Sequence, residues 1–518
     1  MAQTLQTHSI TTPGFYGLNT QESSLDLSTG FALTAVNCVI DQYGRVGARK
    51  GWVTKHATNT DLNTSNVTAI GQLVTDSGAE YTVAAGNNKL FKLVGSTLTM
   101  LTYGGGGTAP TITASNWQIA ALNEVLYLFQ LGHDPLVFDP AVSTTTYRRV
   151  SEKTGYTGTV PPANIVLSAY GRLWVADTST EKTVIYWSDI LSGHKWVNGS
   201  TGSIDVSSVW PNGADNITGL AAHNGFLFIF GKNNILVYSG AQDVLSAGVF
   251  KLSDSTTGIG CIARDTIQNT GSDVIFLSDT GVRSVLRTIQ EKSAPFRDLS
   301  KNVRNDLMAG VAGEVASTIK SVYSPFESFY LLSLPSLKTV YCFDIKAALQ
   351  DGSARVTVWD SIEPQSFCYL RDKSLLIGKA GYIGQYSGYQ DNGSFYRFQY
   401  FTNHTDLGAP SVASVLKKLS VVVIGGSDQF VTIKWGYDFK ENYFAQNVKI
   451  PAQGVAYFGV SEYNTAGTVF SDGVTLQTLT AYPTGAGKVI QTGYEADING
   501  SALSIQKIEI QAKNGKIL

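Results

Sequence analysis

Two pairs of carboxylates stand close enough in sequence to share a reaction: Asp360 with Glu363, and Asp273 with Asp279. Glycoside hydrolysis uses such a pair, one group protonating the leaving oxygen and the other attacking or activating water. Turn and solvated-surface roles are the commoner use of paired acids, and nothing around these four supplies a signature. The nearest approach to the sialidase turn Ser-x-Asp-x-Gly-x-x-Trp is Ser278 to Ser284, SDTGVRS, which lacks both the spacing and the aromatic residue. The histidines His8, His56, His133, His194, His223 and His404 are scattered, none with a second His or Cys at ligand spacing, so loop or core hydrogen bonding is their expected use. Cys38, Cys261, Cys342 and Cys368 form no CxxC pair and read as reduced core thiols. Gly485-Ala486-Gly487-Lys488 looks like the end of a phosphate loop, but Tyr482 stands where the first Gly is needed and Val489 where Ser or Thr would bind magnesium; it reads as a turn. The expectation is therefore no catalytic, cofactor-binding or metal-binding residue, and a protein that is not an enzyme.

The elements around these residues are short strands. From Asn164 to Trp196, apolar residues alternate through Ile165, Leu167 and Ala169, then through Leu173 and Val175, with Gly171 and Arg172 as a turn. Polar Asp177 to Lys182 and β-branched or aromatic Thr183 to Ser188 extend the hairpin to three or four strands. Such a unit cannot bury both faces alone and needs copies beside it. The copies read at 68–94, 117–139, 217–239, 259–287, 318–360 and 366–386. Seven similar units fit the radial closure of a β-propeller of about six to seven blades, which leaves no long exposed edges. One interruption, Asp298 to Val315, is helical, with Leu299, Val303, Leu307 and Val311 spaced four apart and Asp298 or Ser300 as candidate cap.

The ends differ in texture. Residues 1–60 read as an extended arm and a hairpin, Ala35 to Ile40 and Arg45 to Val53 about a turn at Asp41 to Gly44. The arm offers too few apolar residues for a core of its own, so Phe15, Tyr16, Leu25, Leu27 and Phe31 are candidate subunit contacts. Residues 61–390 hold the propeller. From 391 to 518 the strands lengthen and read as a separate β-sandwich, with Thr432, Lys434 and Gly436 on a wet face and Val431, Ile433 and Trp435 on a buried one.

Of 518 residues only 15% are charged, against roughly 25% in an ordinary soluble chain, while Tyr counts 25. Surfaces given over to subunit contacts are depleted in charge and enriched in aromatics. A net charge of −2 with no cluster longer than Arg148-Arg149 or Lys417-Lys418 argues against a tight grip on nucleic acid. The N-terminus shows no basic region before an apolar run, and no apolar run reaches the length of a membrane span.

The set GRVGARKGW, IYWSDILSGHKW, LFIFGKNNILVYSG, VIFLSDTGVRSV with the polar helix after it, and LLIGKAGYIGQYSGYQDNGSFYRFQYFT resembles the tail-tube nozzle proteins of short-tailed bacteriophages (tubular protein B and the packaged-DNA stabilisation hub proteins) over roughly Gly44 to Asp406. The resemblance implies a structural protein of the virion tail, assembled in the host cytoplasm as a homo-oligomer, a hexameric ring below a portal-adaptor ring. Its partners would be that ring, tail fibre or spike proteins, and phage DNA in transient contact during ejection. A glycan-binding or glycan-hydrolysing propeller and a monomeric cellular scaffold are the competing readings.

Overall fold

The structure, a computed structural model, describes residues 5–113, 116–211, 213–246, 248–285, 298–407, 412–440, 442–451, 454–455, 468–469 and 476–514. The chain is all-β and built on a β-propeller. Six small sheets stand apart from one another, and a seventh is continuous with a larger sheet.

Each blade begins where alternation begins. Blade 1 is Val67–Val74, Glu80–Gly86, Lys89–Val94 and Thr97–Met100; blade 2 is Gln118–Leu122, Val125–Phe129, Leu136–Phe138 and Thr146–Arg149. Blade 3 is Ala163–Ala169, Arg172–Thr178, Val184–Trp187 and Gly202–Asp205; blade 4 is Ile217–His223, Phe226–Gly231, Asn234–Ser239 and Lys251–Thr257. Blade 5 has, among the described residues, the three strands Gln268–Asn269, Val274–Ser278 and Gly281–Ser284. Blade 6 is Lys320–Ser324, Phe329–Leu334, Thr339–Asp344 and Arg355–Trp359. Blade 7 is Ser366–Tyr369, Leu375–Gly378 and Ile383–Tyr386, completed by Trp52–Thr54 from the other end of the sequence. The first strand of each blade lies against the first strand of the next, and that of blade 7 lies against that of blade 1, so the ring is closed. Apolar side chains weld neighbouring blades: Leu73, Val83, Leu126 and Phe138 between blades 1 and 2, Val67, Phe91, Leu376 and Ile383 between blades 7 and 1.

The units read from alternation are present, with instructive differences. The turn in blade 3 is Tyr170-Gly171, both at positive φ (54° and 72°) as a tight two-residue hairpin requires, while Arg172 is a buried strand residue donating to the carbonyls of Ser188 and Ser200. In blade 5 the stretch from Ile259 to Thr266 is not a strand. Thr266 Oγ1 donates to the Ala263 carbonyl (2.6 Å) and accepts from Leu277 N (3.1 Å), closing a 3-10 turn at Arg264–Thr266.

The helix is shorter than its pattern, Arg304–Ala312, entered through a 3-10 turn at Lys301–Val303; Leu299, Val303, Leu307 and Val311 are all buried. Neither Asp298 nor Ser300 caps it. Asp298 instead takes the Ser300 amide (2.8 Å) and the Arg304 guanidinium (2.7 Å). Just before the helix, Leu299 and Ser300 lie against the last described strand of blade 5: Leu299 N donates to Val282 O (3.0 Å) and Val282 N to Ser300 Oγ (3.0 Å).

The two ends of the chain do not form separate units. Asn37, at φ 55°, kinks the predicted strand from Ala35 to Ile40, sending Phe31–Val36 into one sheet and Cys38–Ile40 into another. The first sheet runs on from blade 6 through Gly17–Leu18 and Phe31–Val36 to Tyr396–Thr402, Ile490–Ile498, Phe430–Tyr437 and Phe444–Lys449, ten strands in all. The second has seven strands, with Gln6–Thr11, Cys38–Ile40 and Val46–Ala48 added to Ser414–Gly425 and Leu503–Asn514. They enclose a common core in which Val431, Ile433 and Trp435 are buried as their alternation requires. Gly436, placed on the wet face, is covered by Tyr443.

Candidate functional site

The five candidate subunit contacts separate in the structure. Phe15 is fully buried against Tyr400 (5.9 Å between ring centroids) and Leu27 is buried, both inside this chain's own core. The arm therefore packs on its own subunit, which corrects the expectation that these two side chains await another chain. The physical reason is that Gly17–Leu18 wedges between Arg355–Trp359 and Phe31–Val36, a fit that only glycine permits: at φ 81° a Cβ on Gly17 would lie 2.5 Å from the Val356 carbonyl oxygen. Tyr16 and Phe31 are half-buried and meet edge to face (5.4 Å); Leu25 is exposed.

Three of the four paired carboxylates have structural partners. Asp360 accepts from Asn37 Nδ2 (2.6 Å), Glu363 pairs with Lys338 (3.3 Å), and Asp273 accepts from Ser284 Oγ. In the SDTGVRS turn, Ser278 Oγ takes the Thr280 amide (3.2 Å) and donates to the Gly281 carbonyl (2.9 Å). At the loop resembling a phosphate cradle, the amides of Lys488 and Val489 already bind the Asp438 carboxylate (2.7 and 3.1 Å). No three His, Cys, Asp or Glu side chains gather as a metal site among the described residues, and no described helix is long and apolar enough to cross a membrane.

Histidines serve packing. His56 Nε2 accepts from Ile383 N (3.0 Å), so Nδ1 carries the proton donated to the Ala57 carbonyl (2.7 Å). Burial lowers the pKa of His194, helped by Lys153 and Lys195, and burial lowers that of His404. A base kept neutral in the native state binds fewer protons than the unfolded chain, so stability falls as pH drops below the ordinary histidine value near 6.5. The urea midpoint at pH 5 should thus lie below that at pH 7, and H404Q should narrow the gap; an equal gap in wild type and variant refutes the assignment.

Two clusters of buried charge were not legible in the sequence. The first spans the propeller between opposite blades. Arg264, before blade 5, donates to Asn164 Oδ1 of blade 3 (2.9 Å) and Asn116 Oδ1 ahead of blade 2 (2.8 Å), and pairs with Asp265 (2.7 Å). Lys320, which opens blade 6, reaches the same Asn116 oxygen (3.0 Å) and Asp265. Blades 2 and 3 do not adjoin blades 5 and 6, so these bonds cross the centre of the ring. Burial alone would raise the pKa of Asp265, but Arg264 and Lys320 hold it down to about 2, while burial pushes that of Lys320 down. The lone signal was Arg-Asp inside an apolar run.

The second cluster bolts propeller to sandwich. Arg49, fully buried, holds the Asp391 carboxylate with both terminal nitrogens (2.8 and 2.7 Å), donates Nε to Asn37 (2.9 Å), and lies over the Tyr396 ring (4.0 Å). Burial would lower its pKa, but Asp391 outweighs this and raises it. The GRVGARKGW stretch is thus a structural joint. Beside it a half-open cleft of about 740 Å³ separates the two bodies, with Tyr43, Lys50, Phe326 and Glu327 among its walls.

No family model matches this sequence. No curated protein matches it either. Among solved structures it is similar to PorZ, a surface component of the type-IX secretion system of Porphyromonas gingivalis (11% identity, 64% of this chain and 37% of that one, TM-score 0.37). It is similar also to the extracellular domain of a putative one-component system of B. thetaiotaomicron (10%, 82% and 59%, TM-score 0.41) and to the WD40 domain of Neurospora crassa Pan2 (7%, 65% and 95%, TM-score 0.39). The chain spans less than two thirds of the first two. Likenesses this slight bear on no function; the propeller rests on its own sheet order.

Proposed function

We propose that this chain is a structural subunit of a closed homo-oligomeric ring, six copies forming the tail nozzle of a short-tailed phage. The ring sits in the virion tail below a portal-adaptor ring, meets tail fibre or spike proteins, and conducts DNA without gripping it. The observation that carries the reading is an apolar knob on a rigid mount. Ile190 and Leu191 are 53% and 54% exposed in the IYWSDILSGHKW stretch, and Val197, which follows it, is also exposed. The mount is fixed: Leu191, at φ 53°, donates its amide to the Gly171 carbonyl (2.7 Å), its own carbonyl accepts from Asn123 (3.1 Å), and Asp189 ties the loop to Ser200 N (3.1 Å). Adjacent apolar side chains held still in water suit a heterologous contact, the kind that closes a ring. The bonds across the propeller agree: with Arg264 and Lys320 both tied to Asn116, a DNA channel would run between subunits and not through a propeller. Near-neutral charge fits a lumen that DNA must leave quickly.

Native mass measurement at micromolar concentration, with the portal-adaptor ring present, should give a hexamer, and I190D/L191D should give folded monomer. Monomer alone from the wild-type protein overturns the reading, as does tight duplex binding at physiological salt.

A further inference from the structure

The cleft between propeller and sandwich does not end at the joint. A second depression of about 560 Å³ lies against the ten-stranded sheet, lined by Arg397, Phe430, Thr432 and Asp497, and the two share Ser427. Together they make one long groove. Four aromatic rings are exposed along it, Tyr43 (60%), Phe326 (63%), Phe395 (60%) and Phe430 (56%), with the Arg45 guanidinium over one face of Tyr43 (4.3 Å) and the Lys50 ammonium over one face of Phe326 (5.7 Å). On the sheet, Phe395 precedes Tyr396–Thr402 and Phe430 begins Phe430–Tyr437, with Ile490–Ile498 between them and a two-residue offset along the strands, so their backbones stand about 12 Å apart.

The charges along this groove cancel. Asp41, Glu327, Asp428 and Asp497 face it, as do Arg45, Lys50, Lys346 and Arg397, four acids and four bases. Most are locked in pairs: Arg45 with Asp41 (2.6 Å), Lys50 with Glu327, and Arg397 with Asp497 (3.3 Å). Asp428 is held by Lys449 (2.7 Å), whose ammonium lies over the Phe430 ring (5.6 Å). Gln429, buried at the side, gives its amide to the Ser501 carbonyl (3.0 Å) and keeps Oε1 without a donor among the described residues.

We propose that this groove binds a neutral oligosaccharide. A polyphosphate would need a surplus of cations, and an acidic or basic peptide a surplus of the opposite sign. A purely apolar partner would strand the ion pairs out of water. A pyranose chain meets both demands at once: its C–H faces lie on the ring surfaces that the cations leave exposed, while its hydroxyls donate to spare carboxylate lone pairs and accept from guanidinium and ammonium N–H groups. This proposal does not depend on ring assembly, and ring assembly does not depend on it.

The test is calorimetric titration of the full-length protein with maltohexaose, cellohexaose, chitohexaose and a mannohexaose, against a heparin hexasaccharide. At least one neutral hexasaccharide should bind in the micromolar to millimolar range, and the heparin fragment should not. F326A and F430A should each weaken that binding about tenfold or more, with circular dichroism and hexamer mass unchanged, since both side chains are exposed. The proposal is overturned if none of the neutral probes binds, if binding survives both substitutions, if the heparin fragment binds more tightly, or if F326A and F430A dissociate the oligomer, which would make the groove an interface between copies.

Discussion

Deleting residues 1–34 should abolish folding rather than assembly. The deletion removes Gln6–Thr11, which pairs along its length with Leu503–Asn514, and the Gly17–Leu18 wedge that joins blade 6 to the sandwich. It also removes part of Phe31–Val36, the partner of Tyr396–Thr402. Phe15, with no exposed surface, would leave a hole beside Tyr400; truncating that ring alone, as F15A, should cost about 3–5 kcal/mol. A typical domain has only about 5–15 kcal/mol to lose, so the loss of two strands and most of a third exceeds what the fold can absorb. Expressed alone, the truncated chain should be insoluble or lack a cooperative urea transition, and F15A should unfold at markedly lower urea. A soluble truncated protein with the wild-type midpoint would show that the arm is dispensable.

Asp265→Asn should be the most damaging single conservative change in the propeller. It leaves Arg264 and Lys320, each only 7% exposed, side by side at the ring centre with amide oxygens for company. Removing one partner from buried charges costs about 3–5 kcal/mol, because the Arg264 guanidinium stays charged without a carboxylate and Lys320 must stay charged beside it or give up its proton. The loss should appear in urea unfolding at pH 7, and adding K320M should restore part of it by removing the repulsion; an unchanged midpoint in D265N would mean that the hub is not under electrostatic strain. The pH dependence has a definite sign. The native pKa of Asp265 is depressed, so its contribution is complete above the ordinary carboxylate range and disappears as pH falls through about 2. Wild type should therefore keep its advantage over D265N at pH 5 and lose it in strong acid.

The propeller was legible in the chain because each blade repeats a local signal. Alternation of period two fixes which side chains face a neighbouring blade, and small turns such as Asp279-Thr280-Gly281 mark the reversals. Seven units could be counted, and the buried stripe Leu299, Val303, Leu307 and Val311 could be named, from spacing alone. The outer strands were fainter. Thr97–Met100, Gly202–Asp205 and Lys251–Thr257 are blade edges with mixed or polar exposure, and an edge strand needs little apolar pattern to form. The exposed character of Leu25 and the burial of Phe15 were beyond reach, since both are apolar residues in similar surroundings.

Composition and spacing by themselves determined the fold class, the repeat, the helix stripe and the want of a familiar catalytic signature, because all of these depend on residues near one another in the chain. Only the tertiary structure decided that Trp52–Thr54 closes blade 7, that the arm belongs to its own subunit, and that Arg264 meets Asn116 across the axis. Those pairings join residues up to several hundred positions apart. Their energies come from desolvated charge and wedge packing, which have no period in sequence and exist only once the ring has closed.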